Sequence, residues 1–203
     1  MLLSAQSGLI PDGITQHAHL IPRRNRKKGD ILECNLQIGY RGYLVLCRRS
    51  GEVTVIKPTL VREGDKFKQF FGTDDRLEHE PLPGLLGADE KERKITHVYA
   101  VATFTNGAKD FEVMSVEEVE ALRRRAHVDD DSKNPAWGTD YGEMCKKTVL
   151  RRLCKRLPQS EDAARLLELD AQAEAGIPQG LGDSKILDLP EDAVESKAVP
   201  AAT

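Results

Sequence analysis

The sequence predicts an α+β fold, a mainly antiparallel sheet with helices packed on one face, and three observations predict it. Residues 31–40 (ILECNLQIGY) alternate apolar and polar, setting Leu32, Cys34, Leu36 and Ile38 on one side as a half-buried strand requires. Asn106-Gly107 joins two further apolar runs, 95–105 and 109–114, and is the strongest short hairpin signal available. Strand patterns come in runs with helical patterns between and after them, which implies antiparallel layers.

Taken in order, residues 2–7 read as the last turns of a helix closed by Gly8. Residues 17–22 alternate weakly and break into a basic loop at 23–30. After the 31–40 strand, Gly39 and Gly42 punctuate the passage into a short helix at 43–50, stopped by Gly51. Short strands are expected at 53–56, 60–62, 67–71 and 76–79, with a turn at Glu63-Gly64-Asp65. Residues 81–94 mix Pro, Gly and charge as a loop does. Ser115-Val116-Glu117-Glu118 is a capping box that opens a helix running to Arg125. A polar loop at 129–135 leads to a basic helix over 137–158, ended by Pro158. A short helix at 161–175 is expected next, and the Gly, Pro, Ala and acid content of 176–203 predicts disorder. The domain reading is a body over 1–160 and an acidic, mostly disordered tail over 161–203.

With 203 residues, 39% hydrophobic and 31% charged, the chain can bury a substantial core. It contains no apolar run of about 18 residues, so no membrane-spanning helix is expected. Without a basic n-region and apolar stretch after Met1, the expected location is cytoplasmic. Cys34, Cys47, Cys145 and Cys154 form no CxxC and no metal-ligand spacing; reduced, partly buried thiols are the reading. His17 and His19 lack a third ligand and read as polar strand residues, and Asp129-Asp130-Asp131 reads as a solvated loop. No P-loop, GxSxG, HExxH or GxGxxG occurs, so nothing in the residues points to catalysis.

Charge is distributed unevenly. Residues 1–157 hold 27 Lys/Arg against 23 Asp/Glu, and residues 158–203 hold 3 against 10. A basic body with an acidic tail suits a protein that meets nucleic acid. The 137–158 helix concentrates the cations: Lys146, Lys147, Arg151, Arg152, Lys155 and Arg156 surround an apolar stripe of Val149, Leu150, Leu153 and Leu157. Lys147, Arg151 and Lys155 follow at i, i+4, i+8 as one row. Six cations in eleven residues without an interleaved acid repel one another unless an anion compensates. Two readings stay open from the residues alone: a solvated face, or a row laid along phosphates. Tyr40, Tyr43, Trp137 and Tyr141 lie beside basic residues, where they can stack on bases or belong to the core.

Three blocks, LQIGYRGYLVLCRRSG (36–51), YAVATFTNGAKDFEVMSVEEVEALRRRA (99–126) and WGTDYGEMCKKTVLRRLCKRLPQS (137–160), closely resemble the RecT family of phage and prophage single-strand annealing proteins. The stretch GDKFKQFFGTDDRLEHEPL (64–82) fits in order and spacing, so the resemblance covers about residues 1–160. It implies a β-β-β-α core, ATP-independent binding of single-stranded DNA, and annealing to a complementary strand in phage-type homologous recombination. It implies no covalent catalysis and no nucleotide cofactor, with Mg²⁺ assisting by screening phosphates. The partners it implies are single-stranded DNA and the annealed duplex, further copies of the chain in a ring or filament, a phage exonuclease and a host single-strand-binding protein.

The resemblance carries over Arg41, Arg48 and Arg49 from the first block, and Lys146, Lys147, Arg151 and Arg152 from the third, as backbone contacts, with Gly39 permitting the tight strand-to-helix passage that places Arg41. Arg24 and Arg26 in the basic loop are added as DNA contacts, Lys155 on geometry, and Tyr40, Trp137 and Tyr141 as candidates for base stacking. The family pattern has a helical region before the segment matching 1–7. Its expected absence here would compromise subunit contacts and part of the groove. The alternative reading is a truncated prophage remnant that acts only as an interaction module for an exonuclease or single-strand-binding protein.

Overall fold

A computed structural model describes residues 8–25, 31–83, 93–125 and 135–174. The expected helix at 2–7, Arg26, the aspartate run at 129–131 and the segment 176–203 lie outside the described residues. The fold is α+β, with seven strands in three antiparallel sheets among the described residues. They are β1 (Ala18–Asn25), β2 (Ile31–Ile38), β3 (Val53–Arg62), β4 (Lys66–Phe70), β5 (Arg76–Glu80), β6 (Ile95–Phe104) and β7 (Lys109–Ser115). The helices are α1 (Tyr40–Arg48), α2 (Val116–Arg125), α3 (Pro135–Thr139), α4 (Tyr141–Cys154) and α5 (Glu161–Glu174).

The central sheet has the order β3-β6-β7. Val98, Ala100 and Ala102 of β6 and Met114 of β7 are fully buried, and α4 packs across all three strands. This is the period-two alternation of a sheet with one face on the core. The other face is not bare. The β4–β5 hairpin lies over it, with the Phe67 ring 5.3 Å from His97 and 5.9 Å from Tyr99, and Phe71 6.1 Å from Phe111.

Several elements form for the local reasons their residues suggest. Gly107 takes φ +82° in the hairpin turn. At α2, the Ser115 Oγ accepts from the Glu118 amide (3.3 Å), and a Glu118 side-chain oxygen accepts from the Ser115 amide (3.0 Å), a complete capping box. The strands expected separately at 53–56 and 60–62 are one strand running through Pro58. Among the described residues β3 borders β6 alone, so the missing proline N–H is tolerated at a sheet edge.

Four expectations are corrected. The loop expected from residue 23 is the end of β1, with Arg24 opposite Leu32. In β2, Leu36 and Ile38 are buried but Cys34 is exposed and Asn35 buried, so the alternation breaks within this two-stranded ribbon, against which α5 packs. The basic helix is two helices: Asp140 (φ −131°, ψ 46°) breaks it, and α4 stops at Cys154, followed by a tight turn closed by Arg156 N to Leu153 O at 2.9 Å. Finally, the body does not end at 160. Helix α5 buries Ala163, Leu166 and Leu167, and its buried Asp170 accepts hydrogen bonds from the Tyr43 hydroxyl and from the Ile38 amide (2.8 Å).

The start of α1 is set by close approach. A Cβ on Gly39 would lie 2.2 Å from the Gln16 carbonyl oxygen, and one on Gly42 2.0 Å from that of His17. The chain before β1 therefore runs directly against α1, and Gly39 N donates to His17 O at 2.9 Å. These glycines supply room, and the backbone at Gly39 (φ −77°) is ordinary.

Candidate nucleic-acid interface

The apolar stripe of α4 is buried as its spacing requires: Cys145, Val149, Leu150, Leu153 and Cys154, then Leu157 beyond the helix end. The cations around it divide into groups. Arg152 and Arg156 reach β7, where the Glu112 carboxylate accepts from Arg152 Nε at 2.8 Å and Arg156 Nη1 at 3.0 Å. Arg156 also meets Asp110 (2.9 Å) and the Phe111 carbonyl (2.8 Å), and Arg152 lies 3.6 Å from Glu118. The compensation expected from an external anion is, for these two, provided by the protein's own carboxylates. Lys146 pairs with Glu143 one turn earlier at 2.7 Å. Lys147 and Arg151 are half-buried, and Lys155 at the C-cap is exposed.

Helix α1 packs against α4 and β3. It exposes Arg41 in its first turn and Arg48 in its last. Arg49, just after it, donates to the Gly8 carbonyl at 3.2 Å. The side chain of Arg24 lies outside what the structure describes.

Where α4 begins, a groove of about 1020 Å³ opens between the ends of β3 and β6 and the α3–α4 junction. Five cations line it, Lys57, Arg62, Arg93, Lys94 and Lys146, against two carboxylates, Asp140 and Glu143. Of these cations only Lys146 stands out in the sequence. The others are single charges scattered along strands and loops, and only the antiparallel pairing of β3 with β6, which sets Arg62 opposite Ile95, brings them together. Tyr141 also lines the groove, and Tyr40 lies close enough to Glu143 to feel its charge. Burial first, then that charge, raises the Tyr40 phenol above its ordinary value.

The profile of the RecT family matches residues 1–177. Protein RecT of Escherichia coli (strain K12) is 37% identical over 185 residues, which cover 90% of this chain. The chain belongs to the RecT family. It spans 64% of the length of that curated relative. The RecT-family match takes in α5, in agreement with the packing of that helix into the body.

Two of the three aromatic side chains singled out in this RecT-family sequence are engaged inside the protein. Trp137 is 8% exposed, 5.9 Å from the Tyr141 ring and 5.3 Å from the Arg123 guanidinium. Tyr141 donates its hydroxyl to Glu120 at 2.7 Å; burial, then that hydrogen bond, pushes the phenol far above its ordinary value. Tyr40 is half-buried at the start of α1.

Proposed function

We propose that this RecT-family protein binds single-stranded DNA by its phosphate backbone and anneals it to a complementary strand without ATP or covalent chemistry. Family membership over residues 1–177 carries the reading. The cationic groove supports it physically: annealing needs phosphate neutralisation while base edges stay free to find complements. In this reading the backbone tracks along Lys57, Arg62, Arg93, Lys94 and Lys146, with Arg41 at the adjoining start of α1. Lys147, Arg151 and Lys155 form a second row on α4, and Arg48 and Arg49 extend the α1 surface. Arg152 serves chiefly as a strut to β7. Assembly into rings or filaments, collaboration with an exonuclease and a single-strand-binding protein, and assistance from Mg²⁺ belong to the same proposal.

The test is annealing of two complementary labelled oligonucleotides with the 203-residue chain, without nucleotide, alongside binding to one strand at several salt concentrations. Acceleration over the protein-free strands is expected. Removing Lys57 and Lys94 together should lower the salt slope by about 1.4, at about 0.7 per lost phosphate contact on single strands. Strands that pair no faster with the protein than without it, despite a folded chain, refute the function and favour an interaction module. Unchanged binding by the double variant refutes the groove.

A further inference from the structure

Asp65, in the turn between β3 and β4, has a side chain only 4% exposed and gathers four hydrogen bonds. Its Oδ1 accepts from Leu82 N (3.0 Å) and Arg93 Nη2 (2.6 Å); its Oδ2 accepts from Arg62 N (2.8 Å) and His79 Nε2 (3.2 Å). The other ring nitrogen of His79 lies 3.0 Å from the Tyr99 hydroxyl, so the imidazole bridges Asp65 to β6. His79 sits on β5 and packs edge-on against Phe67 of β4. One carboxylate thus holds the base of the β4–β5 hairpin. Burial works against its charge, but the bonds from Arg93, the two amides and His79 outweigh that and keep the acid well below the usual carboxylate range.

The same carboxylate also fixes a groove cation. The Arg93 guanidinium has five N–H donors. Nε and Nη2 both donate to the Glu63 carbonyl, and Nη2 donates to Asp65 as well. The two N–H groups on Nη1 have no partner among the described residues, and Arg93 lines the groove. A guanidinium whose position is set from behind, with two donors unspent, is ordered before a ligand arrives. Lys57 and Lys94, exposed on flexible stems, are not.

We infer that Asp65 is a positioning residue for the groove: it presents Arg93 Nη1 to a backbone phosphate and, through His79, ties that contact to the β4–β5 hairpin. The inference rests on the reading of the groove as a phosphate track. A carboxylate that only stabilised the turn would act on binding independently of Arg93. A positioning carboxylate acts through it.

The full chain is tested as Asp65→Asn, Arg93→Ala, the double variant and Lys57→Ala, with a fluorescein-labelled oligothymidylate as probe. Asp65→Asn and Arg93→Ala should each weaken binding on the order of tenfold and lower the salt slope by about 0.7. The double variant should bind as Arg93→Ala does. A further tenfold loss in the double variant overturns the positioning role. Without DNA, amide exchange across 66–80 should quicken in Arg93→Ala, and an unchanged hairpin overturns the shared clamp. If Asp65→Asn does not fold, Arg93→Lys replaces it: the charge stays, but an ammonium cannot span Glu63, Asp65 and a phosphate, so wild-type affinity overturns the inference. Lys57→Ala separates the two ideas. If it leaves binding and slope unchanged, the groove reading fails and takes the positioning role with it; if it weakens binding while Asp65→Asn does not, the positioning role alone fails.

Discussion

Replacing Glu112 with alanine should destabilise the protein while leaving its phosphate contacts in place. The Glu112 carboxylate is 9% exposed and holds two guanidiniums at 2.8 and 3.0 Å. Removing one member of a fully buried ion pair costs about 3–5 kcal/mol. Here both arginines are half exposed, Arg156 keeps Asp110 and the Phe111 carbonyl, and Arg152 keeps Glu118. Solvent screening and these remaining partners bring the expected cost to about 2 kcal/mol. For a chain of this length that lowers the melting midpoint by about 4–8 °C. Thermal melts at low salt and at about 1 M NaCl should show nearly the same loss, because a pair at 2.8 Å around a buried carboxylate is screened much less than a surface pair. Arg152→Ala should cost about half as much, since Glu112 keeps Arg156, and should leave the salt slope of DNA binding unchanged. A midpoint within about 1 °C of wild type for Glu112→Ala refutes the strut. A slope lowered by about 0.7 in Arg152→Ala refutes its assignment as a strut in favour of a phosphate contact.

Gly42→Ala puts a Cβ 2.0 Å from the His17 carbonyl, backbone against backbone, and should cost about 2 kcal/mol or more, read as a lowered urea midpoint with unchanged slope. Tyr43→Phe strips Asp170 of its hydroxyl partner and leaves it the Ile38 amide; a loss of about 1–3 kcal/mol should appear, with earlier proteolytic cleavage in α5. Cys34 is exposed, whereas Cys47, Cys145 and Cys154 are buried, and burial pushes the Cys145 thiol up to about 11. Iodoacetamide at about pH 8 should therefore add one group to the folded chain by mass and four after denaturation.

The elements legible in the sequence are those decided within a few residues. The Asn106-Gly107 turn, the Ser115–Glu118 box and the stripe of Val149, Leu150 and Leu153 each carry their own cause, and each forms as its pattern implies. The break at Asp140 has local signals too, Gly138 as a stop and Asp140 as an N-cap residue, but the spacing around them also fits one continuous helix. The charges illustrate the limit best. In the stretch 146–156 alone, Arg152 and Arg156 look uncompensated; their carboxylates lie some forty residues earlier on β7. Conversely, Lys57, Arg93 and Lys94 look like ordinary surface charges until strand pairing gathers them into one groove. Local pattern locates a cation, and only the tertiary fold decides whether a carboxylate has already claimed it.

The hydrogen bonds from Tyr43 and Ile38 to Asp170 join residues 127 and 132 positions apart. During synthesis the chain emerges from its N-terminal end at about 5–20 residues per second. The Tyr43 hydroxyl and the Ile38 amide are therefore made many seconds before the one carboxylate that satisfies them, and both are buried in the finished body. The β1–β2 ribbon and α1 must wait, solvated or provisionally packed, until α5 has been made. The buried contacts that β2 and α1 make with Asp170 can close only once α5 has left the ribosome.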